Sequence, residues 1–371
     1  MKDLTFAITL LFASAAAFAQ TPAATPSGPA TPPKREAGFK AGEIAPPLQV
    51  SEWVKGGAIP LLEKGKVYLV EFWAVWCGPC IGNIPHLNAL QKKYAKDGLV
   101  VLGFTSPDRF PGKPNAPEKN SLAMVRDFVA KRGDRMAYTV AYDQPGRETF
   151  QSYFNAPDAG IPQAFIVGRD GKIVISGHPY YFEEILEDVM ADRWDPVKGP
   201  ERFAELKRMM RAPDEARDYA GFKAARAALQ ARSTVYYDRT IYTELLRGIK
   251  ESDADTVRRT GERMIRNLLE HGESGDMGYT INQMVRRDPI MTQAKPYLAL
   301  AGRLSEAYVK STNGEDSSPL SLRADWFVCM GDLKSAVACQ RRAVEVEVES
   351  RREPLQKRLE ELEKELAAKG K

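Results

Sequence analysis

The chain has 371 residues, 43% hydrophobic and 27% charged, with a formal net charge of +4. That length exceeds one ordinary core and predicts two domains. So small a charge, with no dense Lys/Arg block interleaved with aromatics, argues against nucleic acid as a partner, and four cysteines in a chain of this size exclude a disulfide-stapled scaffold.

Residues 1–19 read as a signal peptide. Lys2 gives a short positive start, Leu4 to Phe18 is almost wholly apolar, and Ala17-Phe18-Ala19 supplies the small-x-small pattern before Gln20. A retained anchor is the alternative, but the apolar stretch is short for a bilayer span. The expectation is an exported, periplasmic protein, soluble after cleavage. Residues 20–38, rich in Thr, Pro, Ala and Gly, cannot bury enough apolar area to offset chain entropy and read as a linker.

Residues 39–193 read as a layered α/β domain. A leading segment around Leu48 to Val54 precedes a buried strand at Lys66 to Ala74, and a helix runs from the first cysteine pair to about Lys96. Leu99 to Thr105 is a second buried strand. A helix at Ser121 to Lys131, a short strand at Tyr138 to Tyr142 and a helix at Gly146 to Phe154 follow. Gln163 to Gly168 and Lys172 to Gly177 form a hairpin around Asp170-Gly171, and Phe182 to Ala191 closes the unit as a helix. Alternating strands and helices imply parallel pairing, with the hairpin as an antiparallel edge.

Residues 200–371 read as an all-α region of helical hairpins. Helices are expected at 201–211, 215–231, 238–249, 254–271, 294–310, 319–330, 333–350 and 355–368, with breaks at Pro213, Gly272 to Gly278, Pro289, Gly314 and Pro354. Cys329 and Cys339 sit at unequal distances from the Gly331-Asp332 turn, an awkward arrangement for a bond, and read as buried free thiols. Leu355, Leu359, Leu362 and Leu366 make an amphipathic stripe for packing or self-association.

The chemistry concentrates at Trp76-Cys77-Gly78-Pro79-Cys80, between a strand and a helix. Disulfide exchange needs a thiolate. The free N–H groups and the dipole at a helix N-terminus favour an anion there, so Cys77 is the expected nucleophile and Cys80 the resolving thiol. Pro79 limits backbone freedom between them. Glu71 lies six residues before Cys77, at an alternation that points it inward, where burial raises a carboxyl pKa; a strand-edge Glu facing water is the other reading. No spacing of Cys and His suggests a metal, and no cofactor is implied.

Glu71 to Cys80, Pro85 five residues after the second cysteine, Gly160-Ile161-Pro162 before the strand Gln163 to Val167, and the Asp170-Gly171-Lys172 turn together resemble the thioredoxin superfamily, within it the exported TlpA/ResA-like branch. The resemblance covers residues 42 to 192. It implies a thioredoxin-like fold and a protein-disulfide oxidoreductase, with Gly-Pro suggesting a reducing bias. It also implies Glu71 as proton acceptor for Cys80 and Pro162 as a cis-proline exposing Ile161 to an extended substrate, with Trp76, Gly78 and Pro79 as further contacts. Asn83 stands where many members of that branch carry Glu, so no acid–base role is implied at that position. Partners would be proteins with cysteines and an upstream redox donor that the sequence does not name.

Leu320, Ala324, Phe327, Gly331 to Leu333, Ala336 and Ala343 resemble one tetratricopeptide repeat, with Gln340 departing where an aromatic is usual. That implies a partner-docking surface, with a helical buttress as the plainer reading. Two rival functions remain open: a redox-regulated adaptor or holdase, and a thiol peroxidase. Ala74 lacks the hydroxyl that the latter class carries three residues before its cysteine.

Overall fold

The computed structural model describes residues 41–107, 118–154, 160–232, 240–271, 277–285 and 294–369. The expected signal peptide (1–19) and linker (20–38) lie outside these residues, as does the expected break at Pro289.

Six strands form one sheet: β1 (Val50–Lys55), β2 (Val67–Trp73), β3 (Leu99–Thr105), β4 (Thr139–Asp143), β5 (Gln163–Val167) and β6 (Ile173–Gly177), in the spatial order β1-β4-β3-β2-β5-β6. The crossovers β2-β3 and β3-β4 are parallel, whereas β1, β5 and β6 pair antiparallel with their neighbours. Four helices belong to this unit: α1 (Gly78–Tyr94), α2 (Leu122–Arg132), α3 (Glu148–Tyr153) and α4 (Glu183–Met190). The fold is thioredoxin-like.

Every residue of β2 is buried, as expected of a central strand covered on both faces. Its alternation sends Leu69 and Trp73 into one core with Ile84 and Leu87 of α1, Phe128 of α2 and Leu186 of α4. Tyr68, Val70 and Phe72 enter the opposite core with Phe104, Tyr153 and Phe165. There the Phe72 ring stands edge-on to Phe165, with centroids 5.8 Å apart, a favoured geometry for paired aromatic quadrupoles.

Nine helices follow among the described residues: α5 (Lys198–Glu215), α6 (Tyr219–Arg232), α7 (Ile241–Lys250), α8 (Ala254–His271), α9 (Met277–Val285), α10 (Leu298–Ser311), α11 (Ser317–Cys329), α12 (Leu333–Val346) and α13 (Arg352–Lys369). None of the described helices is long and apolar enough to cross a membrane. The α11–α12 hairpin turns at Gly331, whose φ of +79° suits a residue without Cβ. Asp332 then caps α12 by accepting the Ser335 N–H at 3.0 Å. Ala324, Ala336 and Ala343 are wholly buried where the helices meet. Gln340 is also buried, accepting from Ser321 Oγ and donating to the Leu355 carbonyl. On α13, Leu359 and Leu362 pack with Leu333 and Val337 of α12, so the leucine stripe is used within the chain.

Helix ends shift by a few residues from the sequence reading, and at three places the departure turns on a proline or glycine. Helix α5 runs through Pro213 to Glu215, because a proline in the last turn sacrifices a single backbone bond. Helix α13 begins at Arg352, ahead of Pro354, which occupies a first-turn position where the missing N–H has no helical acceptor to lose. Helix α9 fills a stretch where only a break was expected. Gly278, read there as a breaker, sits in its first turn with Leu322 and Tyr308 of neighbouring helices 3.7 Å from where a Cβ would stand.

The helical region is seated on the sheet unit. Phe203 of α5 is 5% exposed and belongs to the same core as Leu69, Trp73 and Phe182. Arg132 pairs with Asp316 at 3.0 Å and Arg135 with the same carboxylate at 3.1 Å. Phe203→Ala is expected to cost about 3–5 kcal/mol by opening a cavity where α5 meets the sheet. A fall in the denaturant midpoint of the full chain checks it; an unchanged midpoint would mean that α5 contributes little to that core.

Candidate active site

Strand β2 ends at Trp73, and the chain turns at residues 74–77 into α1, the Cys77 N–H donating to the Ala74 carbonyl at 3.0 Å. Cys77 is the N-cap of α1, in extended conformation with φ −82° and ψ 97°. Its Sγ accepts the Cys80 N–H at 3.3 Å. The two sulfurs are bonded, with Cα atoms 5.2 Å apart. No acidic residue lies in the first turn of α1, and Lys92 and Lys93 lie in its last, so neither end works against the helix dipole. Cys80 is 1% exposed and Cys77 4%, while Gly78 and Pro79 are exposed and Trp76 is 44% exposed.

Pro162 forms a cis peptide bond with Ile161. It immediately precedes Gln163, which pairs with Phe72 near the end of β2, so the sheet register brings it to the edge from which the cysteine loop departs. Ile161 is half-buried and Pro162 buried.

Glu71 is 1% exposed, and its nearest counterpart on β3 is Gly103. A Cβ on Gly103 would stand 3.0 Å from the Tyr138 ring and 3.1 Å from Trp73 Nε1. The bare backbone there leaves room beside Glu71 for both aromatics. No protein group hydrogen-bonds Glu71 Oε1, Trp73 Nε1 or the Tyr138 hydroxyl. Burial pushes the Glu71 carboxyl well above its usual range. Burial, and then the neighbouring Glu71 charge, push the Tyr138 phenol up as well. A carboxyl so placed holds its proton under conditions where a solvated one has lost it.

Asn120, fully buried, was not singled out by its sequence, yet it holds the loop before Cys77. Its Oδ1 accepts the Val75 N–H at 2.9 Å, and its Nδ2 donates to Thr105 Oγ1 and the Ser106 carbonyl. Thr105 Oγ1 in turn donates to the Trp73 carbonyl at 2.7 Å. Arg351 was missed too: its Nη1 donates to the Val75 carbonyl at 3.1 Å from 276 residues away in sequence. No local pattern marks either residue. His86 is buried, with Nδ1 3.6 Å from Glu183 Oε2.

A cleft of about 930 Å³ opens beside the disulfide. Pro79 and Ile81 of α1 line one side, and Tyr242, Tyr308 and Arg351 of the helical region line the other. Cys329 and Cys339 are free and half-buried; burial raises both thiol pKa values, which disfavours reactivity. Among the described residues, no group of three or more His, Cys, Asp or Glu side chains is arranged to hold a metal.

Residues 40–183 match the redoxin family model. The chain is 25% identical over 172 residues to protein FixW of Rhizobium leguminosarum, covering 46% of this chain and 75% of that protein. It is 29% identical over 157 residues to thiol-disulfide oxidoreductase ResA of Bacillus cereus (strain ATCC 10987 / NRS 248), covering 42% and 80%. Among solved structures, a thiol:disulfide interchange protein of the thioredoxin family from Chlorobium tepidum TLS aligns with a TM-score of 0.31 at 23% identity, covering 42% of this chain and 99% of that one. The matched stretch contains the Cys77–Cys80 pair, which closes as a disulfide at a helix N-terminus, the arrangement of a thiol–disulfide oxidoreductase site.

Replacing Glu71 by Gln tests its burial through pH. The carboxyl pKa is raised from 4.5 in the fold, so the folded protein binds more protons than the unfolded chain at pH values above that. Stability is therefore lost as pH rises through the folded value. The denaturation midpoint of Glu71→Gln is expected to gain on wild type between pH 5 and pH 8. A constant gap would mean that Glu71 is solvated. Asn120→Ala is expected to cost about 2 kcal/mol, since it strands the buried Val75 N–H; urea denaturation measures it.

Proposed function

We propose that this chain is an exported protein-disulfide oxidoreductase biased toward reduction, with Cys77 as nucleophile, Cys80 as resolving thiol and Glu71 as proton acceptor. The observation that carries the reading is the Cys77–Cys80 pair at the mouth of α1 with an unpartnered, buried carboxyl in the strand that leads to it.

In the reduced protein, the Cys77 thiolate attacks one sulfur of a substrate disulfide. The Cys77–substrate bond forms, the substrate S–S bond breaks, and the first substrate thiolate leaves with an electron pair. Glu71, as carboxylate, takes the Cys80 proton. The Cys80 thiolate attacks Cys77 Sγ, closes the intramolecular disulfide and expels the second substrate thiolate. Two electrons pass to the substrate, and an upstream dithiol donor restores the reduced pair. The raised pKa of Glu71 suits this step, because a base is most effective when its pKa approaches the working pH.

An extended segment of the substrate would lie against Trp76, Gly78, Pro79 and the backbone of Ile161, adding main-chain hydrogen bonds in the manner of an added strand. The adjoining cleft gives the helical region a share in binding the polypeptide, which is the docking role its resemblance to a tetratricopeptide unit implies. Export follows from the apolar leader of residues 1–19.

Insulin reduction by dithiothreitol, followed by turbidity, is expected to accelerate with wild type and to stay at background with Cys77→Ser. Equal rates would refute the enzyme reading; retained partner binding by Cys77→Ser would then favour the adaptor. Cys80→Ser is expected to trap the mixed disulfide, and Glu71→Gln to slow its resolution about 100-fold, within the usual span for a lost general base.

A further inference from the structure

The peptide unit that precedes the nucleophile is held from two directions by groups of different kinds. Asn120, from within the sheet unit, accepts the Val75 N–H. Arg351, at the turn before α13, donates to the carbonyl of the same residue. The first group is a neutral amide; the second is a cation, placed two residues before Cys77 by a region that lies beyond residue 183, where the redoxin match ends. A hydrogen bond to a carbonyl could come from any donor, so the sequence has no need of a charge there to shape the loop. A guanidinium does more than fill the site, because a positive charge beside a cysteine favours its thiolate.

Arg351 meets the loop from within a cluster of charged groups. Glu347 Oε2 lies 3.7 Å from Nη2, but the Glu347 carboxylate also accepts from Ser317 Oγ and the Val348 N–H. From α2, Lys131 Nζ donates to the Glu347 carbonyl, and Arg132 lies near enough to Arg351 for the two charges to repel. Arg132 and Arg135 share the carboxylate of Asp316. Beneath the loop, Glu71 is held toward its neutral form by burial. The first turn of α1 carries no acid. His178 lines the same cleft.

We propose that Arg351 is a positioning residue through which the helical region tunes the redox centre: it fixes the Val75 peptide and stabilises the Cys77 thiolate, making the pair more oxidising than the redoxin domain would be alone. Stabilising the thiolate stabilises the reduced form, and a stabilised reduced form means a stronger oxidant. The exchange reaction through which this bias acts is the one proposed above. The test below reads the thiol itself, so inactivity toward insulin would leave it standing.

The full-length protein carrying Cys329→Ser and Cys339→Ser is reduced, and Cys77 is alkylated with neutral iodoacetamide across pH 5 to 9, the site identified by mass spectrometry. The disulfide is also equilibrated with a glutathione redox buffer, in which two glutathiones are oxidised for each disulfide reduced. Arg351→Gln is expected to shift the alkylation profile to higher pH and lower the rate at pH 6 about threefold to tenfold. It is also expected to move the glutathione equilibrium about threefold or more toward the disulfide. Arg351→Lys keeps the charge and is expected to restore most of both, while Asn120→Ala, which frees the same peptide without altering charge, is expected to leave the profile near that of wild type. A profile and equilibrium unchanged in Arg351→Gln would overturn the proposal. So would equal shifts in Arg351→Gln and Arg351→Lys, or a shift in Asn120→Ala as large as that in Arg351→Gln, since each would trace the effect to loop geometry rather than charge.

Discussion

A strand covered on both faces leaves its chain little freedom, and β2 is buried along its whole length. Its period of two commits Leu69, Glu71 and Trp73 to one side and Tyr68, Val70 and Phe72 to the other. A register slip of one residue would move Glu71 among the aromatic rings around Phe72 and turn Phe72 toward α1. The hydrophobic pattern therefore fixes where the strand ends, which residue starts α1 and which carboxyl lies in the strand behind the cysteines. The hydrogen bonds from Thr105 to the Trp73 carbonyl and from the Val75 N–H to Asn120 extend that order through the turn. The disulfide is thus presented by a loop with little play.

Burial of Glu71 is the cost of this arrangement. A carboxyl at 1% exposure with an oxygen that no protein group hydrogen-bonds would destabilise the fold if it were ionised, and desolvation answers by raising its pKa. Gly103 makes the arrangement feasible on the neighbouring strand. A side chain there would press on Trp73 and Tyr138, whose buried Nε1 and hydroxyl likewise have no protein hydrogen-bond partner. Structure and chemistry conflict here in the usual way of a working site, where a locally unfavourable group is held in place by the packing around it.

Much of the sheet unit was legible in the sequence because its signals are local. Apolar runs rich in Val, Tyr, Phe and Trp mark β2, and β3 begins at Leu99 and ends at Thr105 as read. The Asp170-Gly171 turn fixes the β5–β6 hairpin, with Gly171 at φ +80°. What escaped was everything non-local. Asn120 reads as one more polar residue before a capping Ser121, since nothing in its neighbourhood reveals that its side chain meets the backbone 45 residues earlier. Helix α9 was missed because Gly278 was read as a breaker, whereas it stands in the first turn of that helix, against Leu322 and Tyr308. Pro213 and Pro354 misled for a related reason: the disruption a proline causes depends on its place within the helix, and boundaries were the unknown.

The bond from Arg351 to Val75 also carries a consequence for the order of assembly. The ribosome adds residues at about 5–20 per second, so the 276 residues between these two separate their synthesis by roughly a quarter of a minute to a minute. The cysteines and the strands that frame them are all made long before the guanidinium exists. A nascent chain can therefore close or open its disulfide in a form that lacks this cation. On the role proposed for Arg351, the thiols of a chain in which residue 351 has not yet docked would react differently from those of the folded protein.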